Sequence, residues 1–145
     1  MNIFLPFSEF NGRKEDNVSY IYIDQNDYEN YDEAYQSLKY HPSKFNMRFS
    51  VKSMMIRNYF QHSGLKGEPK SDFIICYTKD SANGTTIPTS RDTGGTGQAI
   101  RIAAENNTPV YNLKDNDYQN MSSDNIVDLI LSNLRDGINP YGVIS

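Results

Sequence analysis

A glycine-rich turn, Gly94-Gly95-Thr96-Gly97, lies between an apolar run at 72–77 and a helical pattern that starts at Thr96. Glycine lets the backbone approach a ligand closely, and the first backbone N–H groups of a helix are free to bind an anion. We therefore expect a phosphate group to lie against the backbone of these four residues. The same glycines are also compatible with an ordinary tight turn.

Two polar side chains next to this turn are candidates for further contacts. Thr78 follows the apolar run, and Gln98 lies in the first turn of the predicted helix. A threonine hydroxyl or a glutamine amide can bond to phosphate or ribose, although threonine is equally common as a local capping group. We predict that Thr78 and Gln98 supply polar contacts to the ligand.

Arg57 is the candidate cation for the phosphate. It lies on a predicted helix that is otherwise rich in Met and Tyr, and helical spacing puts Arg57 and Gln61 on one face with Asn58 beside them. A guanidinium fits a phosphate in a bidentate manner. We predict that Arg57 supplies charge and that Asn58 and Gln61 supply polar contacts, with a solvated helix face as the alternative.

Aromatic residues could recognise the base of a nucleotide. Phe7, Phe10 and Asn11 lie in a predicted loop near the start of the chain, and Tyr77 ends the apolar run. Aromatic rings stack on bases, although packing in the core would explain each ring equally well. Phe7, Phe10 and Asn11 are included as candidate ligand contacts.

The elements that must position these residues follow from the apolar pattern. We predict an α/β three-layer domain with a mainly parallel sheet, because an apolar strand, a glycine-rich loop, a helix and a second strand follow one another. The apolar run at 72–77 is the expected central strand, covered on both faces. The predicted strands are 1–5, 19–23, 72–77 and 109–113, and the predicted helices are 32–40 with Asp32 as cap, 51–63 between Ser50 and Gly64, 96–106, and one after Ser123.

Composition restricts the class of protein. The chain has 145 residues, 37% of them hydrophobic, which fits a single domain over 1–145. Its net charge of −4 disfavours unaided binding to nucleic acid. One cysteine and two histidines form no metal-ligand motif, so we expect neither a metal nor a cofactor. No apolar stretch could cross a bilayer, and no signal segment follows Met1, so we expect a cytoplasmic protein with no membrane partner.

Several short segments, taken in order, resemble a known family. They are Leu5-Pro6-Phe7, Phe10-Asn11-Gly12, His41-Pro42, Arg57-Asn58 with Gln61 and Gly64, SDFIICYT at 71–78, GGTGQAIRIA at 94–103, and PVYNL at 109–113. Over roughly residues 2–113 the chain resembles phage and bacterial SLOG-type proteins. These are Rossmann-like nucleotide-binding proteins related to the DNA-processing protein DprA and to the LOG phosphoribohydrolases. The resemblance implies a Rossmann-like fold and binding of a nucleotide or nucleotide derivative.

Two departures from that family change what the resemblance implies. Its members usually carry an earlier strand, helix and strand with a GGAxGAD motif, which this sequence does not contain. We therefore expect the sheet to pair differently or a second copy to complete it, which favours a homo-oligomer, most simply a twofold dimer. LOG-type hydrolases also have a glutamate after the glycines, in the pattern PGGxGTxxE, whereas Ala99, Ile100 and Arg101 follow Gln98 here. No catalytic residue is predicted.

The leading hypothesis is therefore noncatalytic capture of a small nucleotide or nucleotide-derived signal, in the manner of a phage anti-defence protein that keeps a host signal from its receptor. One alternative is a hydrolase or transferase acting on an N-glycosidic bond, with Asp72, Asp80 or Asp92 as the acid. Another is an inhibitor that contacts a host protein through the acidic, tyrosine-rich segment 24–40.

Overall fold

The protein is mixed α/β, with parallel strand pairs and helices that pack against them. The chain divides into two compact units, Met1–Ser71 and Asp72–Ser145, and each is treated by itself. Across the described part of the chain, no helix combines the length and the apolar character that a bilayer crossing requires. The computed structural model describes residues 3–6, 10–12, 20–22, 31–41, 46–65 and 67–142.

The first unit contains a parallel pair of short strands. Strand β1, Ile3–Leu5, pairs with β2, Tyr20–Tyr22, in the register Phe4 to Ile21. Both strands lie where the apolar pattern predicts them, and β1 ends at Pro6, which cannot donate a backbone hydrogen bond.

Two helical segments in the first unit begin earlier than predicted. Helix α1 spans Tyr31–Gln36 and continues as a 3-10 helix, Ser37–Tyr40. Asp32 is therefore not the cap but lies in the first turn, where its negative charge interacts favourably with the positive end of the helix dipole. Helix α2 spans Phe49–Ser63, with Arg48 at the capping position in place of the predicted Ser50. At α2 the residue in the capping position, Arg48, makes no side-chain capping hydrogen bond.

Helix α2 contributes half of the buried apolar residues described for the first core. Met55, Ile56 and Phe60 are buried together with Phe4 of β1, whose ring centroid lies 5.8 Å from that of Phe60. Val51, Met54 and Tyr59 lie partly buried at the margin of this core. The helix ends at Gly64 as predicted, since its φ of +67° suits glycine and its N–H bonds to Phe60 O at 2.8 Å.

The second unit contains the predicted crossover. Strand β3, Ile74–Cys76, pairs in parallel with β4, Val110–Asn112, and helix α3, Thr96–Glu105, lies between them in the chain. Ile100 and Ala103 of α3 pack with Val110 of β4 in a buried cluster. The order of strand, glycine-rich loop, helix and strand is confirmed.

The last two helices close the second unit. Helix α4 spans Asn116–Gln119, and α5 spans Ser123–Arg135. Ser122, one residue before the predicted cap Ser123, accepts a hydrogen bond from the N–H of Asn125 at 3.2 Å. Apolar residues of α5 pack around Tyr111 of β4, which is fully buried.

One prediction about β3 is wrong. Its apolar run was expected to be covered on both faces, but Ile75 is 48% exposed and Tyr77, just after the strand, is 65% exposed. Within the described residues of this unit, β3 pairs with β4 alone. An unbroken apolar run predicts a buried strand only when layers cover both of its faces, and here one face of β3 is open.

Candidate functional site

The carboxyl ends of β3 and β4 form the candidate site, because parallel strands end at the same edge of their sheet. Cys76 ends β3 and is followed by Tyr77 and Thr78, while Asn112 ends β4. The chain then runs from Thr78 through a loop that leads into α3. A polar network, comprising Thr78, Asp80, Ser90, Thr93 and Asn112, ties these segments together.

Asn112 joins the ends of the two strands to the loop. Its side chain is 1% exposed, and its Oδ1 accepts hydrogen bonds from the N–H groups of Thr78 and Lys114, both at 3.2 Å. Its Nδ2 donates to Thr78 Oγ1 at 2.6 Å and to Ala82 O at 2.8 Å. Both hydrogens and both acceptor positions of the amide are therefore used.

Asp80 joins the start of the loop to its end. Its Oδ1 accepts from Thr78 Oγ1 at 2.8 Å and from the N–H of Ala82 at 3.4 Å. Its Oδ2 accepts from Ser90 Oγ at 2.6 Å and from Thr93 Oγ1 at 2.5 Å. Three hydroxyl groups thus converge on one carboxylate.

These hydrogen bonds control the ionisation of Asp80. Burial by itself raises the pKa of this carboxyl, but the hydrogen bonds from Ser90, Thr93, Thr78 and the N–H of Ala82 outweigh it and hold the pKa well below its ordinary value. The carboxyl is therefore ionised at neutral pH and has no proton to donate. This argues against Asp80 as the acid of a glycosidic-bond hydrolase.

The glycine-rich turn follows directly from this network. A 3-10 helix, Arg91–Thr93, leads to Gly94, which has a φ of +66° and donates its N–H to Arg91 O at 3.2 Å. Gly95 is in the right-handed helical region, and α3 starts at Thr96. Gly94, Gly95 and Thr96 are exposed. Gly97, the fourth predicted residue, is buried and donates its N–H to Gly94 O at 3.1 Å. The positive end of a ten-residue helix favours an anion, but contact of an anion with this backbone stays a prediction.

Arg101 is a cation at this turn that the sequence-based reasoning missed. Its Nη1 donates to Thr89 Oγ1 at 2.8 Å and lies 3.1 Å from the position that a Cβ on Gly97 would occupy. Its Nε is buried and makes no hydrogen bond within the described residues. Burial lowers the pKa of Arg101, but an arginine stays charged at neutral pH. The signal available in the sequence was its spacing of four from Gly97, since helical side chains point toward the N-terminus.

Two of the side chains that were predicted to make polar contacts to the ligand, Thr78 and Gln98, are buried. Thr78 is 5% exposed, and its hydroxyl already bonds to Asp80 and Asn112. Gln98 is 0% exposed. Both lie in the same unit as the glycine turn, but their direct contact with a ligand stays a prediction.

The predicted contacts on α2 belong to the first unit. Arg57 Nη2 donates to Asn58 Oδ1 at 3.1 Å, and burial lowers the pKa of Arg57. Asn58 is 5% exposed and Gln61 is exposed, so these two side chains differ strongly in their access to solvent. Their part in ligand binding stays a prediction.

Only some of the residues predicted to contact the base of a nucleotide are among those that the structure describes. Phe7 and the side chain of Phe10 lie outside the described residues. Asn11 is exposed and adopts a left-handed conformation with a φ of +51°, which asparagine tolerates well. In the second unit, the exposed ring of Tyr77 has Lys114 Nζ at 6.0 Å from its centroid.

Cys76, at the end of β3, is a further titratable group at this edge. Burial, together with Asp80, raises the pKa of the Cys76 thiol to about 11, so the reactive thiolate is scarce at neutral pH. Both histidines of the chain are in the first unit. In the described ranges, no group of three or more His, Cys, Asp or Glu side chains is placed to hold a metal ion.

Comparison with known proteins adds no relative to this picture: no family model, no curated protein and no solved structure matches this chain. The interpretation of the site therefore rests on the residues themselves.

Proposed function

We propose that this protein binds a small nucleotide or nucleotide-derived signal without turning it over. The observation that carries the proposal is the exposed backbone of Gly94, Gly95 and Thr96 at the start of α3, with the guanidinium of Arg101 beside the same turn. The N–H groups at a helix start and a neighbouring arginine suit the oxygens of a phosphate.

The expected free energies indicate what kind of ligand this turn would hold. A helix N-terminus contributes about 0.3–1 kcal/mol toward a neighbouring negative charge, and a charge-assisted hydrogen bond about 1.5–3 kcal/mol. Those terms together come to about 1.8–4 kcal/mol, so phosphate alone is expected to bind with a Kd of about 1 mM at best. Stacking adds about 1–3 kcal/mol per base, and Tyr77 is an exposed aromatic ring in the same unit. A nucleotide is therefore expected to bind more tightly than inorganic phosphate.

Three features favour binding without hydrolysis. The glutamate of LOG-type hydrolases is absent from the positions after Gln98. The carboxylate of Asp80 is occupied by four donors, and the Cys76 thiol is held in its protonated form. In biological terms, we propose that the protein sequesters a signalling nucleotide, as a phage anti-defence protein would.

We also propose a Rossmann-like three-layer domain that forms a homo-oligomer. The crossover from β3 through α3 to β4 supports the fold, and the open face at Ile75 together with the limited pairing of β3 supports assembly with a second copy. Light scattering at tens of micromolar protein tests the assembly, and a monomer would contradict it.

Calorimetric titration tests the binding function. The 145-residue chain is titrated with ribonucleoside monophosphates, cyclic dinucleotides and inorganic phosphate. Mass spectrometry identifies any small molecule released when the purified protein is denatured. Gly95→Val is expected to weaken nucleotide binding at least about tenfold, because valine tolerates the φ of −62° but blocks approach to the backbone. Arg135→Ala, an exposed site on α5, is the matched control for surface changes. Unchanged affinity in Gly95→Val would remove the turn from the site.

A further inference from the structure

The carboxylate of Asp80 holds the turn that leads into the glycines. Ser90 and Thr93 lie at the two ends of that turn, and both of their hydroxyls donate to Oδ2 of Asp80. Thr78, next to the end of β3, donates to Oδ1. One side chain therefore fixes the turn to the strand from which the loop departs.

Each of these three hydroxyls is oriented by a second hydrogen bond. Thr78 Oγ1 accepts from Asn112 Nδ2 at 2.6 Å, Thr93 Oγ1 accepts from the N–H of Ser90 at 2.8 Å, and Ser90 Oγ accepts from the N–H of Asp92 at 3.1 Å. Because these partners can only donate, each hydroxyl directs its own hydrogen toward Asp80.

The position therefore requires a group that only accepts hydrogen bonds. A carboxylate does so with both oxygens, whereas an asparagine amide must place an N–H2 group at one of the two positions. In either orientation that amide would face two donors: Thr78 with the N–H of Ala82, or Ser90 with Thr93. Asp80→Asn has nearly the same shape and yet cannot make the same hydrogen bonds.

We propose that Asp80 is a positioning residue for ligand binding: it locks the 90–93 turn so that the backbone of Gly94, Gly95 and Thr96 is presented in its binding conformation. This inference rests on the proposed function. Asp80 acts through the turn and does not itself contact the ligand, because both of its oxygens are already occupied by protein donors.

Three variants test this role. Asp80→Asn removes the acceptor at constant shape, and Thr93→Val removes one hydroxyl at nearly constant shape. Thr93→Ser keeps the hydroxyl, so this conservative variant is expected to retain the binding that Thr93→Val weakens. If Asp80→Asn fails to fold, Thr93→Val and Thr93→Ser decide the matter by themselves.

The first measurement is hydrogen exchange at the amides of Thr93 and Gly94, whose N–H groups bond to Ser90 O at 3.3 Å and Arg91 O at 3.2 Å. Asp80→Asn and Thr93→Val are expected to accelerate exchange there about tenfold, while amides in α5 are unchanged. A purely global loss of stability would accelerate both regions, and unchanged exchange at Thr93 and Gly94 would overturn the inference.

The second measurement is calorimetric titration with adenosine monophosphate, guanosine monophosphate and inorganic phosphate. Asp80→Asn and Thr93→Val are expected to weaken nucleotide binding about tenfold, and Thr93→Ser to retain it. Faster exchange with unchanged affinity would overturn the positioning role. A wild-type protein that binds none of these probes or the cyclic dinucleotides would instead overturn the proposed function, and the role of Asp80 in binding with it.

Discussion

One buried asparagine in each compact unit serves for comparison, Asn58 in the first and Asn112 in the second. In the first unit, Asn58 bonds to the adjacent Arg57, and His62 Nδ1 lies 3.0 Å from Oγ of the adjacent Ser63. In the second unit, Asn112 bonds to Thr78, which lies 34 residues away in the chain. The bonds of Asn58 and His62 named here join neighbours in the chain, whereas those of Asn112 join the ends of two strands to a loop. A binding site needs the second kind, because a ligand must find its contacts already in place.

The largest expected effect concerns Asn112. Asn112→Ala leaves two backbone N–H groups and the carbonyl of Ala82 without this partner, so we expect the free energy of unfolding of the second unit to fall by about 3–5 kcal/mol. Asn58→Ala in the first unit is expected to cost about 1–2 kcal/mol. Urea denaturation measures both, and equal losses would erase the contrast between the units.

The two arginines give the next largest effect. Arg101→Ala is expected to weaken nucleotide binding at least about tenfold, because it removes the cation beside the glycine turn. Arg57→Ala tests the sequence-based prediction that Arg57 supplies that charge. It is a matched change, because it also removes one positive charge and one partly buried side chain. Calorimetry on both variants, each checked by circular dichroism, decides between them. Unchanged affinity in Arg101→Ala would reject the role assigned to it.

A pH dependence is expected in the first unit because His62 is buried. Burial, and to a lesser extent Lys70, lowers its pKa to about 4 in the folded state, below the ordinary value of 6.5. The unfolded state therefore binds the proton more readily, so stability is unaffected above about pH 6.5 and falls as the pH drops toward 4.

Over that range the loss of unfolding free energy is expected to be on the order of 1–3 kcal/mol. Urea denaturation at several pH values measures it, with His62→Gln as the variant that lacks this titration. Parallel pH profiles for the two proteins would show that His62 does not contribute.

The smallest effect is expected at an exposed ion pair of the second unit. Lys79 Nζ lies 3.7 Å from Asp92 Oδ1, and both side chains are largely exposed. Lys79→Ala is expected to change the free energy of unfolding by less than about 0.5 kcal/mol. Thermal denaturation measures this change. A larger loss of unfolding free energy would contradict the expectation that an exposed ion pair contributes little to stability.

The elements were predicted from the sequence more closely than the site. Strands β3 and β4 and helix α3 lie within two residues of the predicted bounds, because apolar periodicity and the glycine turn are local signals. Helix starts were wrong by one or two residues because Arg48 and Ser122 take the capping positions. These errors are the size expected where several residues compete for one cap.

The polar network could not be predicted in the same way. The partnership of Asn112 with Thr78, and of Asp80 with Thr93, depends on how the strands and the loop fold together, and no local pattern encodes it. The spacing of four between Gly97 and Arg101 is a local signal that could have indicated this cation, because helical side chains point toward the N-terminus. The open face of β3 also depends on tertiary packing, since an apolar run is the same in a covered and an uncovered strand.

The orientation of the hydroxyls around Asp80 has a consequence for proton movement. Thr78 and Thr93 are buried, each receives one N–H hydrogen bond, and each gives its only hydrogen to the same carboxylate. A proton relay needs groups that can exchange the roles of donor and acceptor, and the N–H groups at the outer ends of this network cannot. Thr78 and Thr93 therefore hold the negative charge of Asp80 in place without relaying protons to it from their N–H partners, which leaves the exposed Ser90 as the solvent-facing member of the network.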